Sequence, residues 1–351
     1  MTNTFIDLAS NIPNSVVTAI ARIDELKGSW KASGTLHPHI LKNLKKSVLV
    51  TSTGASTRIE GSKLSDEDIE KLMRGIAIEK FTDRDSQEVR GYYELLENVF
   101  NTYEDFRLSE STIKHFHKEL LKYGEKDVLH RGDYKKTENK VHMVNDAGES
   151  IGIFFDTSPV YLTPLEMKTL VEWTNKTLHE KVIHPLIVIG IFIVEFLSIH
   201  PFADGNGRLS RILTNALLLK SGYTYVPYVS HEKLIEDNKP DYYLALRNSQ
   251  KTFKTDHPDI SPWLAFFTSV LLIQAESAVK LLTDKTTEGI LSQKQLAVWE
   301  YLGSHDEGAP REIAAATNVS RATVKQALDK LVKLGKVQRL GLGRSTRYRK
   351  E

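Results

Sequence analysis

Nine residues, His200 to Arg208, read HPFADGNGR and gather a histidine, an acid, two glycines, an asparagine and an arginine. Leu209, Ile212, Leu213, Ala216 and Leu217 follow at helical spacing, so a helix begins near Asn206 or Gly207 with one face in a core. The turn before it presents backbone N–H groups at a helix N-terminus. Such a turn is an anion nest, and Gly205 and Gly207 let a phosphate approach closely. Arg208 and Arg211, three apart, are expected on the exposed face, where two guanidinium groups can clamp one polyphosphate. Asp204 offers a hard oxygen to Mg²⁺, which commonly binds through one carboxylate plus substrate phosphates. His200 supplies a base that titrates near neutrality. Taken singly, these features read as a helix cap, a turn and a solvated face. Together they describe phosphoryl or nucleotidyl transfer.

The elements that must hold this loop are mostly helical. Ahead of it runs PLIVIGIFIVEFLSI, Pro185 to Ile199. Its apolar part is too short to span a bilayer and carries Glu195, so a buried core helix and no membrane partner are expected. Leu64–Ile76 opens with a Ser cap and early acids. Ser86–Phe106 and Ser109–Gly124 carry apolar residues at three- and four-residue spacing. Thr163–Leu178 opens with Thr-Pro, and Ser261–Leu282 reads as another long helix. Lys140–Val144 and Ile151–Phe155 flank the turn signal NDAG and predict a hairpin. Thr283–Ser292 reads as a linker.

Composition sets the outer bounds. The chain has 351 residues, 40% hydrophobic and 26% charged, which suits globular domains and predicts two or three of them. Without cysteine there are no disulfides or thiolate metal sites, and a cytoplasmic location is expected. The opening MTNTFIDLASNIPNS lacks a basic region ahead of an apolar core, so no signal peptide is expected. The net charge of +2 is unevenly placed. Arg311–Glu351 holds eleven Lys/Arg against three Asp/Glu, a net +8, leaving −6 for residues 1–310.

HPFADGNGRLSR resembles the signature of the Fic family, His-x-Phe-x-Asp/Glu-Gly-Asn-Gly-Arg-x-x-Arg, at every fixed position through Arg211. The resemblance extends over roughly residues 50–275 and implies an all-helical catalytic domain. The activity it implies is AMP transfer from ATP to a protein hydroxyl, with pyrophosphate released. In that reading His200 deprotonates the target Ser, Thr or Tyr, and Phe202 anchors the loop. Asp204 holds Mg²⁺ on the α- and β-phosphates. Gly205, Asn206 and Gly207 bind phosphate oxygens, and Arg208 and Arg211 hold the β- and γ-phosphates. Ile151, Gly152, Ile153 and Phe154 fall where the family places a flap that registers the target chain by strand addition. Tyr242 and Gln250 fall where it packs the nucleoside, although Tyr242 and Tyr243 also suit a core. The family further implies a protein target, the chain itself included, and a dimer through the catalytic core.

Upstream, STRIEG (Ser56, Glu60 and Gly61) resembles the family's inhibitory motif, Ser/Thr-x-x-x-Glu-Gly/Asn. The resemblance pairs Glu60 with Arg211, so that ATP enters only in an unproductive pose. A charge-assisted contact of roughly 1.5–3 kcal/mol suppresses turnover by about one to two orders of magnitude. In some relatives this glutamate orients a water that removes AMP, which leaves reverse chemistry open.

The basic tail resembles a winged helix-turn-helix domain beginning near Leu291. Ile313–Thr317 makes a short helix, Ser320 caps a second over Arg321–Leu334, and KVQRL and STRYR flank a hairpin. The second helix would offer Arg321, Thr323, Lys325 and Gln326 to a major groove, and the wing Arg344 and Arg347 to phosphates. Winged helices also mediate protein contacts. The fold expected is therefore mainly α: residues 1–90 as an N-terminal helical region, 91–285 as a Fic-type core with a hairpin flap, and 291–351 as the winged helix. A DNA-binding regulator with a nucleotide-sensing core is the alternative to an adenylyltransferase, as is transfer of another phosphate-containing group.

Overall fold

Apolar periodicity becomes fourteen α-helices and two two-stranded sheets among the described residues of the computed structural model. Those residues are 5, 8, 9, 12–32, 36, 38–75, 83–144, 150–252, 255, 257–283, 291–341 and 346–351. The NDAG turn, most of the expected linker and Arg344 lie outside them. Packing divides the chain into two units, Met1–Gly34 with Lys42–Lys280 and Thr35–Leu41 with Leu281–Glu351.

In the first unit the centre is α7 (Pro185–Ile199), buried at every residue from Leu186 onward. A helix apolar on all sides must be covered on all sides. It packs against α6 (Thr163–Glu180), α8 (Asn206–Lys220) and α10 (Lys239–Thr252). On α11 (Ser261–Thr283), Trp263 Nε1 donates to the Gly190 carbonyl at 2.8 Å. The segment Ser261–Leu282 is long and apolar enough to cross a membrane by length and composition. Leu264, Phe267, Leu271 and Ala275 nevertheless pack in the protein core, the expected place for a buried amphipathic face.

The N-terminal helices α1 (Asn14–Ala32), α2 (Pro38–Ile59), α4 (Asp83–Thr102) and α5 (Glu110–Leu120) share that core, since one apolar cluster includes residues from Phe5 to Ala278. α3 (Asp66–Met73) instead buries Ile69 and Leu72 in a small separate cluster with Leu64 and Val89. Ser65 caps α3 in a reciprocal box with Asp68, the arrangement that satisfies two orphan donors. The stretch that carries Glu60 is the end of α2, where Ser52 to Thr57 are all buried. Small side chains there let the helix lie close to its neighbours. α9 (His231–Asp237) completes the set. The hairpin pairs β1 (Lys140–Val144) with β2 (Ser150–Asp156) antiparallel, from Lys140↔Asp156 to Val144↔Ser150, with two bulges.

The second unit has its own core around Trp299, Ile313, Val324, Leu328 and Tyr348. It comprises α12 (Gln293–Ser304), α13 (Pro310–Thr317), α14 (Arg321–Lys333), β3 (Val337–Leu340) and β4 (Arg347–Lys350). β3 and β4 pair antiparallel, and Gly308 bridges to Tyr348.

Gly91 on α4 shows how tightly the site's supports cross. A Cβ there would overlap the Leu120 carbonyl oxygen at the end of α5, which is backbone and has no rotamer to yield. Gly91→Ala is therefore expected to destabilise by about 1–3 kcal/mol. Urea unfolding should show a lower midpoint at unchanged slope, and an unchanged midpoint would contradict this packing.

Candidate active site

His200 ends α7 in the left-handed region, at φ 52° and ψ 60°. That turn breaks the helix and swings the chain into the loop. Its Nδ1–H donates to the Leu197 carbonyl at 3.3 Å, which puts the basic lone pair on Nε2. Burial holds the imidazole down to about 4, and Lys135 adds to the effect. The Leu197 carbonyl, Glu60 and Asp204 oppose it. The ring is neutral at physiological pH, as a general base must be.

Phe202 is fully buried and stacks on His117 with centroids 3.8 Å apart. Gly132 N–H donates to His117 Nδ1 at 2.8 Å, so Nε2 carries the proton and donates to the Asp204 carbonyl at 3.0 Å. Burial also holds His117 down to about 4, against the Asp204 carbonyl contact. Asn206 closes the loop on itself. Its side chain accepts from Phe202 N–H at 3.0 Å and donates to the Phe202 carbonyl at 2.8 Å. Both polar atoms of that amide are thereby used within the loop. Gly205 starts α8 at φ 77°, a conformation that favours glycine.

Asp204 is partly exposed. Its Oδ1 accepts from Gly205 N–H at 2.6 Å, and its Oδ2 lies 3.2 Å from Arg208 and 3.5 Å from Arg84. Burial opposes ionisation, yet Arg208, the Gly205 N–H and Arg84 hold the carboxyl below the usual range. The same two arginines would leave it charged for a cation.

The expected exposed clamp is corrected by the structure. Arg208 and Arg211 are each only 2% exposed, because α4 and α2 cover the face of α8 that local periodicity leaves open. Arg208 pairs with Glu88 of α4 at 2.7 Å. Arg211 is held by α2: Nε donates to Ser56 Oγ at 2.7 Å, and Nη2 donates to the Ser56 carbonyl at 3.0 Å and to Glu60 Oε1 at 2.7 Å. Glu60 raises the Arg211 guanidinium pKa against the cost of burial. Gly207 admits Glu60, since a Cβ there would overlap Oε1. Gly61 follows at φ 104°, which turns the chain away directly after the carboxylate.

Behind α2, Arg58 fixes the helix end to Glu236 of α9 at 2.6 Å and to Asp66 of α3 at 2.9 Å. Glu232, fully buried, accepts from Tyr92 at 3.0 Å and from Asn215 at 2.6 Å. Sequence reasoning missed His117, Glu88 and Glu232, whose partners lie on distant elements. The only short-range signal is a polar residue on an apolar helix face, as His117 is on α5.

Tyr242 is 3% exposed and packs edge-on to Trp263 and Tyr243, so its ring takes the core position that the sequence also allowed, with its hydroxyl toward Arg211. Gln250 donates to Ser198 Oγ at 3.3 Å, beside the end of α7. The backbone of Ile151, Gly152, Ile153 and Phe154 lies in β2, and their side chains are outside the described set. In the second unit Arg321, Lys325 and Gln326 are exposed, whereas the Thr323 hydroxyl meets Ser320 at the helix cap. Arg347 is partly exposed and pairs with Glu312 at 3.1 Å and Glu307 at 3.5 Å, surface contacts that any phosphate would have to displace.

Residues 107–218 match the model of the Fic/DOC family. The chain carries a Fic/DOC family domain. Residues 308–351 match a second model, the C-terminal domain of DIP2311-like transcriptional regulators. Over 84 residues the chain is 40% identical to a probable protein adenylyltransferase of Aquifex aeolicus, covering 24% of this chain and 25% of the relative. It is 29% identical over 154 residues to the protein adenylyltransferase Fic of Drosophila melanogaster, covering 44% of this chain and 26% of the relative. The chain thus spans about a quarter of the length of these relatives. A Fic family protein from Desulfovibrio desulfuricans superposes with TM-score 0.72 at 24% identity, covering 98% of both chains. A Fic domain containing signaling protein from Bacteroides thetaiotaomicron gives 0.62 at 23%, covering 76% of this chain and 98% of that one. These two likenesses establish the fold of the Fic domain and its N-terminal helices.

The two depressed histidines carry a stability consequence. Between pH 6.5 and about 4 the unfolded chain binds protons that folded His117 and His200 do not, so stability falls as pH drops through that window and is level above it. His200→Asn, which tolerates the left-handed backbone, should lose less stability over this window, by on the order of 2 kcal/mol. Parallel denaturation curves at pH 7 and pH 4.5 for both proteins check it, and equal losses would contradict a buried neutral His200.

Proposed function

We propose that the chain is a protein adenylyltransferase that moves AMP from ATP to a Ser, Thr or Tyr hydroxyl of a protein, and that Glu60 holds it largely inactive. One observation carries this reading: Glu60 occupies, at 2.7 Å, the guanidinium of the arginine that the family signature assigns to the triphosphate tail.

His200 Nε2 takes the proton of the target hydroxyl, whose oxygen then attacks the α-phosphorus while pyrophosphate leaves. The first-turn N–H groups of Asn206 and Gly207 face the phosphates at the N-terminus of α8, where the helix dipole favours negative charge. Arg208, buried beside Asp204, supplies positive charge from behind the loop. Arg211 holds the γ-phosphate once Glu60 leaves it. Asp204 fits Mg²⁺, since it is one partly exposed hard-oxygen donor beside a phosphate site. Bound there, Mg²⁺ would neutralise phosphate charge. β2 offers a strand on which an extended target segment can add.

For the second unit, the likeness to a transcriptional regulator's C-terminal domain favours a winged helix on DNA. Arg321, Lys325 and Gln326 of α14 would face the duplex.

Intact mass after incubation with ATP and Mg²⁺ tests the enzyme. Glu60→Gly is expected to gain AMP about ten to a hundred times faster than wild type, and Glu60→Gly/His200→Ala to gain none. A Glu60→Gly protein that binds ATP yet transfers nothing to itself or to added protein acceptors would contradict it. For DNA, retardation of a duplex across salt should weaken in Arg321→Ala/Lys325→Ala, with the salt slope reduced by about one to two. Unchanged retardation, or none in wild type, would exclude that surface.

A further inference from the structure

Below the loop, a buried lysine joins the catalytic histidine to the hairpin. Lys135 is 4% exposed. Its Nζ donates to the Ile199 carbonyl at 3.0 Å, Asn139 Oδ1 at 2.9 Å and Thr157 Oγ1 at 2.9 Å. All three ammonium protons are thereby used. Its backbone N–H donates to the Pro201 carbonyl at 2.8 Å, and Asn139 Nδ2 donates to the Phe202 carbonyl at 3.0 Å. Residues 135 and 139 thus hold the carbonyls of Ile199, Pro201 and Phe202, on both sides of the left-handed His200. The Thr157 hydroxyl also donates to the Asn139 carbonyl at 2.8 Å. Asn139 and Thr157 directly precede β1 and follow β2, whose outermost pair is Lys140↔Asp156.

We infer that Lys135 is a positioning residue for AMP transfer, clamping His200 and locking both ends of the hairpin's base to it, so that a target strand on the hairpin is registered against the base. This rests on the adenylyltransferase reading above. A buried ammonium in place of water also explains why the clamp is ionic: its charge is stabilised by three oxygen acceptors and the end of α7, where carbonyl dipoles favour a cation. Beside burial, which dominates, Lys135 disfavours protonation of the His200 ring, whereas Glu60 and Asp204 favour it.

The test uses the full chain carrying Glu60→Gly. Lys135→Met is expected to lower kcat at least about ten-fold, with the KM for ATP within about two-fold, because no phosphate contact is touched. His200 should titrate at a higher pH, read from imidazole NMR signals assigned by difference against His200→Asn. Lys135→Arg should restore both. Thr157→Val, which keeps the lysine, should lower kcat about three-fold or more and serves where Lys135→Met does not fold. The NMR readout separates the two claims, since it does not require AMP transfer. A Lys135→Met protein with unchanged kcat, or with an unmoved His200 midpoint, overturns the inference, as does a Thr157→Val protein of full activity.

Discussion

Arg211 is the constraint around which the first unit is organised. A guanidinium this deep carries a large desolvation cost, and only paired charge and hydrogen bonds offset it. Ser56 and Glu60 provide both from the last turn of α2. The small residues of that turn, the left-handed Gly61 and the missing side chain of Gly207 all serve the same close approach. In the proposed reading, a charge that would hold a triphosphate is kept occupied by a removable carboxylate.

The loop itself is fixed from below and within. His117 holds the Asp204 carbonyl, Asn206 bridges the Phe202 backbone, and Lys135 with Asn139 takes the carbonyls around His200. Burial leaves the imidazole neutral, and the contact of Nδ1 with the Leu197 carbonyl leaves Nε2 for the proposed base role. Rigid support of this kind is what an enzyme needs to keep reacting groups within a fraction of an ångström.

Much of this was legible in the sequence because it is local. The loop, the start of α8 at Asn206, the buried α7 and the hairpin strands follow from spacing within a dozen residues. The pairing of Glu60 with Arg211 was legible only through the family resemblance. What failed was long-range. Periodicity within α8 cannot tell that α2 and α4 bury Arg208 and Arg211. Tyr242 reads equally as a ligand contact or a core ring, and local spacing does not show that Trp263 and Tyr243 pack edge-on to it. The surface pairs of Arg347 with Glu307 and Glu312 likewise lie beyond local spacing. Lys135 sits in a segment with no periodic signal, and its side-chain partners lie up to 64 residues away.

In the proposed reading the negative charge of Glu60, held on Arg211, keeps the site idle. The most direct measurement is the initial rate of labelled AMP transfer from ATP in Glu60→Gln, which keeps the shape and removes the charge. A rate at least about ten-fold above wild type, abolished by adding His200→Ala, is predicted. A Glu60→Gln protein as slow as wild type, alongside a fast Glu60→Gly, would show that the side chain blocks the site by bulk and would contradict the ion pair as the brake.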